Sequence, residues 1–452
     1  MPQNNTRTMA SFIRANAKLI ATISVCMIFL FWPRSNTVTI PGSSGVEYMP
    51  TAGALRIGSI PSECPATGIR YGIMMDAGST GSRTHIYKFN FAENGVDIAL
   101  ISERFESLKP GLSSFEEDPV KAGESIRPLM KIAVEEIPPA SWACTPISLK
   151  ATAGLRLLGD DVSKSIIRQV RKVMSEYPFV TPSLESLAAV MDGKDEGPYA
   201  WLTVNFLLKS LGTADSAAVL DMGGASTQIV FRPSEPLKSA PSQFTYSTSV
   251  LGHTAALYQN SYLGLGLKEA VKTVMKAAVK AGDGLESNFY CLPIGYTFEG
   301  KGGLQVKNGD GETDFQKCST FVSSALFQAN AACSVAPCAF NGIYQPHLRS
   351  SFTGPIYAFS YFYDRMLPFI KPSDKNMVTV GRFKEVGTKV CKPTDDFTKE
   401  HSKGTMCADL SYLYALLTTG YGLSDDQVLT VTNKINGVET AWTLGAMITM
   451  LK

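Results

Sequence analysis

The feature that most constrains this chain is a device it carries twice. Residues 73–82 (IMMDAGSTGS) and 218–227 (AVLDMGGAST) each bring a short hydrophobic strand to an Asp-x-Gly turn, follow it with small, mostly hydroxyl-bearing residues and leave in a second strand. Repetition of one supersecondary unit implies two related lobes that face each other over a cleft, each presenting one turn to it. A chain of 452 residues has room for two such bodies once an N-terminal appendage is set aside.

Around the turns the pattern alternates strand-like and helix-like segments, which specifies the α/β class. Residues 71–75 and 85–89 read as strands, and 119–137 as one helix opened by Pro119. Asp160 and Asp161 are expected to cap a helix in which Ile166, Ile167, Val170, Val173 and Met174 recur at helical spacing. The folded part is expected to begin near Ile69 and a second body near Met191, with strands at 218–221 and 228–231 and a helix over 264–281.

Each turn suits phosphate. Glycine admits the tight backbone, bare amides approach phosphate oxygens, and small hydroxyls add donors without bulk. That assigns Gly78, Ser79 and Thr80 in one copy, and Gly223, Gly224 and Ala225 in the other, to phosphate binding. Asp76 and Asp221 repel phosphate directly, so their sensible role is to hold Ca2+ or Mg2+, through water, against it. Between the copies an acidic, glycine-punctuated loop, 191–201, runs into a helix and offers Glu196 as the base for an attacking water, with Ser226 and Gln228 placed to hydrogen-bond that water. Thr152, in 150–156 (KATAGLR), adds a hydroxyl after a further strand, with Arg156 as a cation close by.

Forty-two Lys+Arg against 40 Asp+Glu leave a net charge of +2, too little for a protein that works by neutralising a phosphate backbone, so nucleic acid is excluded as a partner. His85, His253, His347 and His401 never fall at i,i+4, which argues against a histidine-built zinc site. The apolar run 19–32 (LIATISVCMIFLFW) follows Arg7, Arg14 and Lys18, with only Arg34 close behind and no small-x-small cleavage pattern. It reads as an uncleaved signal anchor with the body in the lumen. Residues 35–67, rich in Ser, Gly, Pro and Thr, read as a stem. Outside the run lie eight cysteines, six of them between Cys291 and Cys407, which reads as disulfide stapling in an oxidising compartment. Cys333/Cys338 and Cys391/Cys407 are the natural local pairs and Cys291/Cys318 the next, although spacing alone leaves connectivity open. The one N-x-[ST] match, at Asn4, falls on the cytosolic side.

In this order, 76–82, 151–156, 192–201, 220–228 and 439–446 resemble the five apyrase-conserved regions of the ectonucleoside triphosphate diphosphohydrolase family, members of the actin/Hsp70/sugar-kinase superfamily. The resemblance implies two RNase H-like lobes, 69–190 plus 433–452 and 191–432, after a cytosolic tail (1–14), an anchor (15–33) and a stem (34–68). It also implies a nucleotide with Ca2+ or Mg2+ between the lobes and hydrolysis without a phosphoenzyme. The family's base falls on Glu196, its water-positioning pair on Ser226 and Gln228, its metal-organising carboxylates on Asp76 and Asp221, and Thr152 lines the site. The aromatic that stacks on the nucleobase corresponds to Tyr363.

A single N-terminal anchor is similar to the Golgi and secreted nucleoside diphosphatase branch, types five and six, with type six nearer. That implies GDP, UDP and IDP as substrates, a single-pass type II Golgi protein and a soluble form on stem cleavage. Residues 333–342 look more like the surface triphosphatases, so a triphosphate-preferring apyrase is the alternative, with a phosphotransferase and a noncatalytic nucleotide-gated module behind it. Oligomeric state is left open.

Overall fold

The computed structural model describes residues 55–94, 97–281, 289–309, 311–328 and 331–451. The segments expected to be tail, signal anchor and, as far as residue 54, stem lie outside these residues, and no helix among the described residues is long and apolar enough to cross a membrane. Both lobes lie within one unit, Ala52–Lys452.

The first lobe opens with β1 (Arg56–Ile57), then β2 (Gly68–Ala77), β3 (Ser82–Phe91) and β4 (Ile98–Leu108) as an antiparallel meander. Helices α1 (Pro119–Glu124) and α2 (Arg127–Glu136) lead to β5 (Ile147–Ala151), α3 (Ala153–Arg156), α4 (Asp160–Met174), β6 (Val180–Thr181) and β7 (Ala188–Val190). The sheet order is β4-β3-β2-β5-β7, with β5 and β7 parallel to β2. Helix α5 (Gly193–Leu207) crosses to the second lobe, where β8 (Ala218–Met222), β9 (Ser226–Phe231), β10 (Thr245–Val250) and β11 (His253–Leu263) form an antiparallel set in which β11, not β10, lies beside β9. Then follow α6 (Leu267–Ala281), α7 (Phe315–Leu326), β12 (Ile356–Ser360), α8 (Tyr361–Met366), β13 (Met377–Thr379), α9 (Val380–Cys391), α10 (Met406–Ala415), β14 (Val428–Val431) and the last helix, α11 (Thr443–Met450). This sheet runs β10-β11-β9-β8-β12-β14-β13, with β12 parallel to both β8 and β14. In both lobes an antiparallel set, β4-β3-β2 in the first and β10-β11-β9-β8 in the second, is followed by two strands parallel to the one that carries the turn, and the second sheet adds β13 antiparallel at its edge, which is the RNase H-like arrangement that the resemblance implied.

Strand periodicity sorts the side chains into three cores. Ile73, Met75 and Ala77 of β2 enter the first-lobe core, and Ala218, Leu220 and Met222 of β8 enter the second. The alternate residues Met74 and Val219 enter a shared core with Trp201 and Val204 of α5 and Leu444 and Met447 of α11. Strands buried on both faces must read as continuous apolar runs, which is why both turns follow one. Helix α11 is fixed to both neighbours: Thr203 Oγ1 of α5 accepts from the Gly445 amide at 2.8 Å, and Thr443 Oγ1 meets Tyr87 Oη of β3 at 2.8 Å. On α4 the expected stripe of Ile166, Ile167, Val170, Val173 and Met174 is buried, each such side chain contributing about 1.5–3 kcal/mol over exposure.

Four expectations are corrected. The helix over 119–137 is two helices broken at Ser125 and Ile126, because Pro128 in the first turn of α2 cannot donate and its ring crowds the preceding turn. Gly159, not an aspartate, occupies the N-cap of α4, and no side chain caps it; Asp160 and Asp161 sit in the first turn, where the helix dipole favours them. Helix α6 starts at Leu267, after Gly264 at φ 85°. Folded structure precedes Ile69, because β1 pairs in parallel with β6 and Cys64 is bonded to Cys144. The other disulfides, Cys291–Cys318, Cys333–Cys338 and Cys391–Cys407, join the local pairs.

Candidate active site

The two turns close by the same hydrogen bond. The Gly78 amide donates to the Gly81 carbonyl at 3.0 Å, and the Gly223 amide to the Ser226 carbonyl at 3.0 Å. Their strands share a register as well: Asp76 lies opposite Arg83 and Asp221 opposite Gln228. The turns touch across the cleft, where a β-carbon on Gly224 would lie 2.5 Å from Ser79 Oγ and 3.1 Å from Thr80 Cγ2. Between them opens a cavity of about 590 Å³, lined by Asp76, Gly78, Ser79, Thr80, Thr152, Glu196, Asp221, Gly223, Gly224, Ala225 and Ser226. Every one of those is a candidate from sequence.

The other two candidates lie elsewhere. Gln228 is buried behind the wall, and its Nε2 donates to Ser226 Oγ at 2.8 Å and to Ser261 Oγ of β11 at 2.9 Å, so it meets the cavity through Ser226. Tyr363 does not line the cavity and packs against the second-lobe core; Tyr361, one helical face round on α8, lines it instead, with the Arg365 guanidinium 5.0 Å from its ring centre.

Glu196 reaches the cavity from the first turn of α5, whose N-cap Asp192 accepts from the Lys194 amide at 3.0 Å. Only 7% exposed, it accepts from Arg156 Nη2 at 2.5 Å. Burial outweighs that cation, and the nearby Asp221 and Asp76 add repulsion, so the Glu196 carboxyl is pushed up to about 8. Burial pushes Asp221 up to about 6, against the Ser360 hydroxyl, which donates to its Oδ1 at 2.7 Å. Ser360 holds that position from a strained backbone at φ 57°, the kind of outlier that clusters at functional sites.

The donor set suits a hard divalent cation held through water. Asp76 Oδ1 is buried without a hydrogen-bond partner, and Asp221 faces Asp76 closely enough to be raised by it. No group of three or more His, Cys, Asp or Glu side chains among the described residues is arranged to hold a metal directly. Two carboxylates leave most coordination positions to water and phosphate, as Mg2+ prefers.

Sequence reasoning missed Arg83, Lys109, Lys268, Ser360 and Arg365, all of which line the cavity. For Arg83 a signal existed, since pairing the strands on either side of the first turn places it opposite Asp76. Lys109 and Lys268 arrive from the end of β4 and the start of α6, and nothing local to either marks it out.

Comparison with known proteins bears on this geometry. The model of the GDA1/CD39 (nucleoside phosphatase) family matches residues 63–452. Ectonucleoside triphosphate diphosphohydrolase 5 of Gallus gallus is 38% identical over 407 residues, covering 87% of this chain and 90% of that one. A guanosine-diphosphatase of Candida albicans is 36% identical over 433 residues, covering 85% of this chain and 71% of its own length. Among solved structures, a nucleoside triphosphate hydrolase of Neospora caninum aligns with a TM-score of 0.60 at 15% identity, over 85% of this chain and 93% of that chain, which is a likeness of fold.

Proposed function

The chain belongs to the GDA1/CD39 (nucleoside phosphatase) family, and on that premise we propose that it hydrolyses the terminal phosphate of nucleoside diphosphates of the GDP, UDP and IDP type to monophosphate and phosphate, with Ca2+ or Mg2+. The observation that carries the reading is the contact of two like turns over one cavity that also holds Glu196. Amides and hydroxyls of Gly78, Ser79, Thr80, Gly223, Gly224 and Ala225 grip the phosphates from both sides, with Thr152 alongside. Glu196 takes the proton of a water held by Ser226, which Gln228 orients from behind. Asp76 and Asp221 hold the cation, which supplies positive charge against the phosphate oxygens. Tyr361 and Arg365 are the better-placed surface for the nucleobase. The apolar run 19–32 with its basic flank and the four disulfides support a single N-terminal anchor and a body in the Golgi lumen.

Full-length protein is expected to release phosphate from GDP and UDP, to stop on chelation with EDTA and to resume with Ca2+ or Mg2+. Release indifferent to EDTA removes the cation from the mechanism.

The base also sets a pH dependence. Glu196 acts when ionised, and burial holds its carboxyl near 8, so the rate falls as pH drops through that region. A cation between the nearby aspartates offsets their repulsion and moves this acid limb lower. Arg156→Met removes the cation paired with Glu196 and moves the limb to higher pH; at a fixed pH below the limb, moving it up by one pH unit slows the reaction about tenfold. A profile of kcat against pH that is identical in the two proteins contradicts the assignment of Glu196.

A further inference from the structure

The duplication sets one residue of each lobe in the same place. In the second lobe Gln228 lies across the strand pair from Asp221; in the first, Arg83 lies across from Asp76. Arg83 Nη1 donates to Asp76 Oδ2 at 2.7 Å. Its guanidinium also covers the first turn, since a β-carbon on Gly78 would meet Nη1 at 2.8 Å. The side chain remains 33% exposed, on the wall of the cavity.

We propose that Arg83 is a catalytic residue that holds Asp76 with one N–H and grips the non-bridging oxygens of the transferred phosphoryl group with those that remain. The proposal rests on the diphosphatase reading above and assigns the two equivalent positions opposite tasks: Gln228 serves the attacking water, Arg83 the phosphate. A guanidinium is planar, permanently charged and carries five donors in a fork, so one edge can engage a carboxylate while another engages phosphate; an ammonium, a point charge on a flexible stem, does not hold both in fixed geometry. In the reaction the water oxygen bonds to the terminal phosphorus and the bridging P–O bond breaks. Its electron pair stays on the nucleoside monophosphate oxygen, and the proton of the water passes to Glu196. Charge on the transferred group is spread over its non-bridging oxygens, where donors already fixed in place stabilise it without reorganisation.

The test uses the full-length protein with GDP and Mg2+, comparing wild type with Arg83→Met, Arg83→Lys and Arg83→Gly for kcat, KM, thermal midpoint and half-saturating Mg2+. Arg83→Met is expected to lose about 10²–10³-fold in kcat, the effect of removing one preorganised donor from a developing anion, with KM and thermal midpoint little changed. Lysine restores only a minor part, and low, non-denaturing guanidinium added to Arg83→Gly recovers rate where the same concentration of sodium does not. A kcat within a fewfold of wild type in Arg83→Met overturns the proposal. So does a loss confined to weaker Mg2+ binding that guanidinium fails to rescue, because Arg83 then acts only by holding Asp76. If Arg83→Met does not fold, Arg83→Lys carries the test: a wild-type kcat there overturns the fork argument. A wild-type protein that binds GDP and releases no phosphate defeats the underlying diphosphatase reading instead, and is recognised before any variant is compared.

Discussion

Glu196→Gln is expected to slow phosphate release from GDP by about 10²–10⁴-fold, the usual cost of removing a positioned base, while GDP still binds. The substitution keeps the shape and a hydrogen-bond acceptor for Arg156 Nη2, which Glu196 Oε2 engages at 2.5 Å. What it removes is the capacity to take a proton. Burial pushes the wild-type carboxyl up to about 8, which makes it a stronger proton acceptor once ionised. Steady-state release and calorimetric GDP binding, measured side by side, separate loss of chemistry from loss of the site. A rate within tenfold of wild type places the base elsewhere.

The second large effect is expected at a residue that touches no substrate. A β-carbon on Gly266 would lie 2.3 Å from the Ser226 nitrogen, 2.4 Å from the Ala225 nitrogen and 2.5 Å from the Ala225 carbonyl carbon. These are backbone atoms of the second phosphate turn, which no side-chain rotation can relieve. The turn is also tied to the start of α6, where the Leu267 amide donates to the Gly223 carbonyl at 2.9 Å and the Lys268 amide to the Gly224 carbonyl at 3.0 Å. Gly266→Ala must therefore displace the turn. Misplacement by an ångström costs about 10²-fold in rate, and overpacking of this kind costs about 1–3 kcal/mol of stability. The measurement is kcat/KM for GDP together with the thermal midpoint. Gly264→Ala is the control: its site is strained for alanine at φ 85° but has open space around it, so stability falls while the turn stays in place. Equal activity in the two variants contradicts the argument.

Much of the site was legible because its parts are local. An apolar strand, an aspartate, a glycine and hydroxyls fit within ten residues, and their recurrence implied two lobes before any strand was paired. Glu196 was legible for a similar reason, as an acid at a glycine-marked helix start. The cationic wall was not, because Lys109, Lys268 and Arg365 come from the end of β4, the start of α6 and the last turn of α8 and meet only in the folded chain. Motif alignment points to Tyr363, whereas residues 361, 364 and 365, which share one face of α8, line the cavity and 363 does not. The break between α1 and α2 is present in the sequence as Pro128 and is masked by an apolar pattern that continues through it. The buried pair His85–Glu103, at 2.7 Å, joins residues of adjacent strands, and its Glu103 Oε2 also accepts from the Glu439 amide at 2.8 Å. No local pattern predicts a bond that spans the chain in this way.

The most direct measurement is kcat/KM for GDP, UDP and ADP beside GTP and ATP, by phosphate release from the full-length protein with Ca2+ or Mg2+ and no acceptor. Steady turnover of GDP and UDP that exceeds turnover of the triphosphates is the expected result. Preference for GTP or ATP, or nucleotide binding with no release, contradicts the diphosphatase reading.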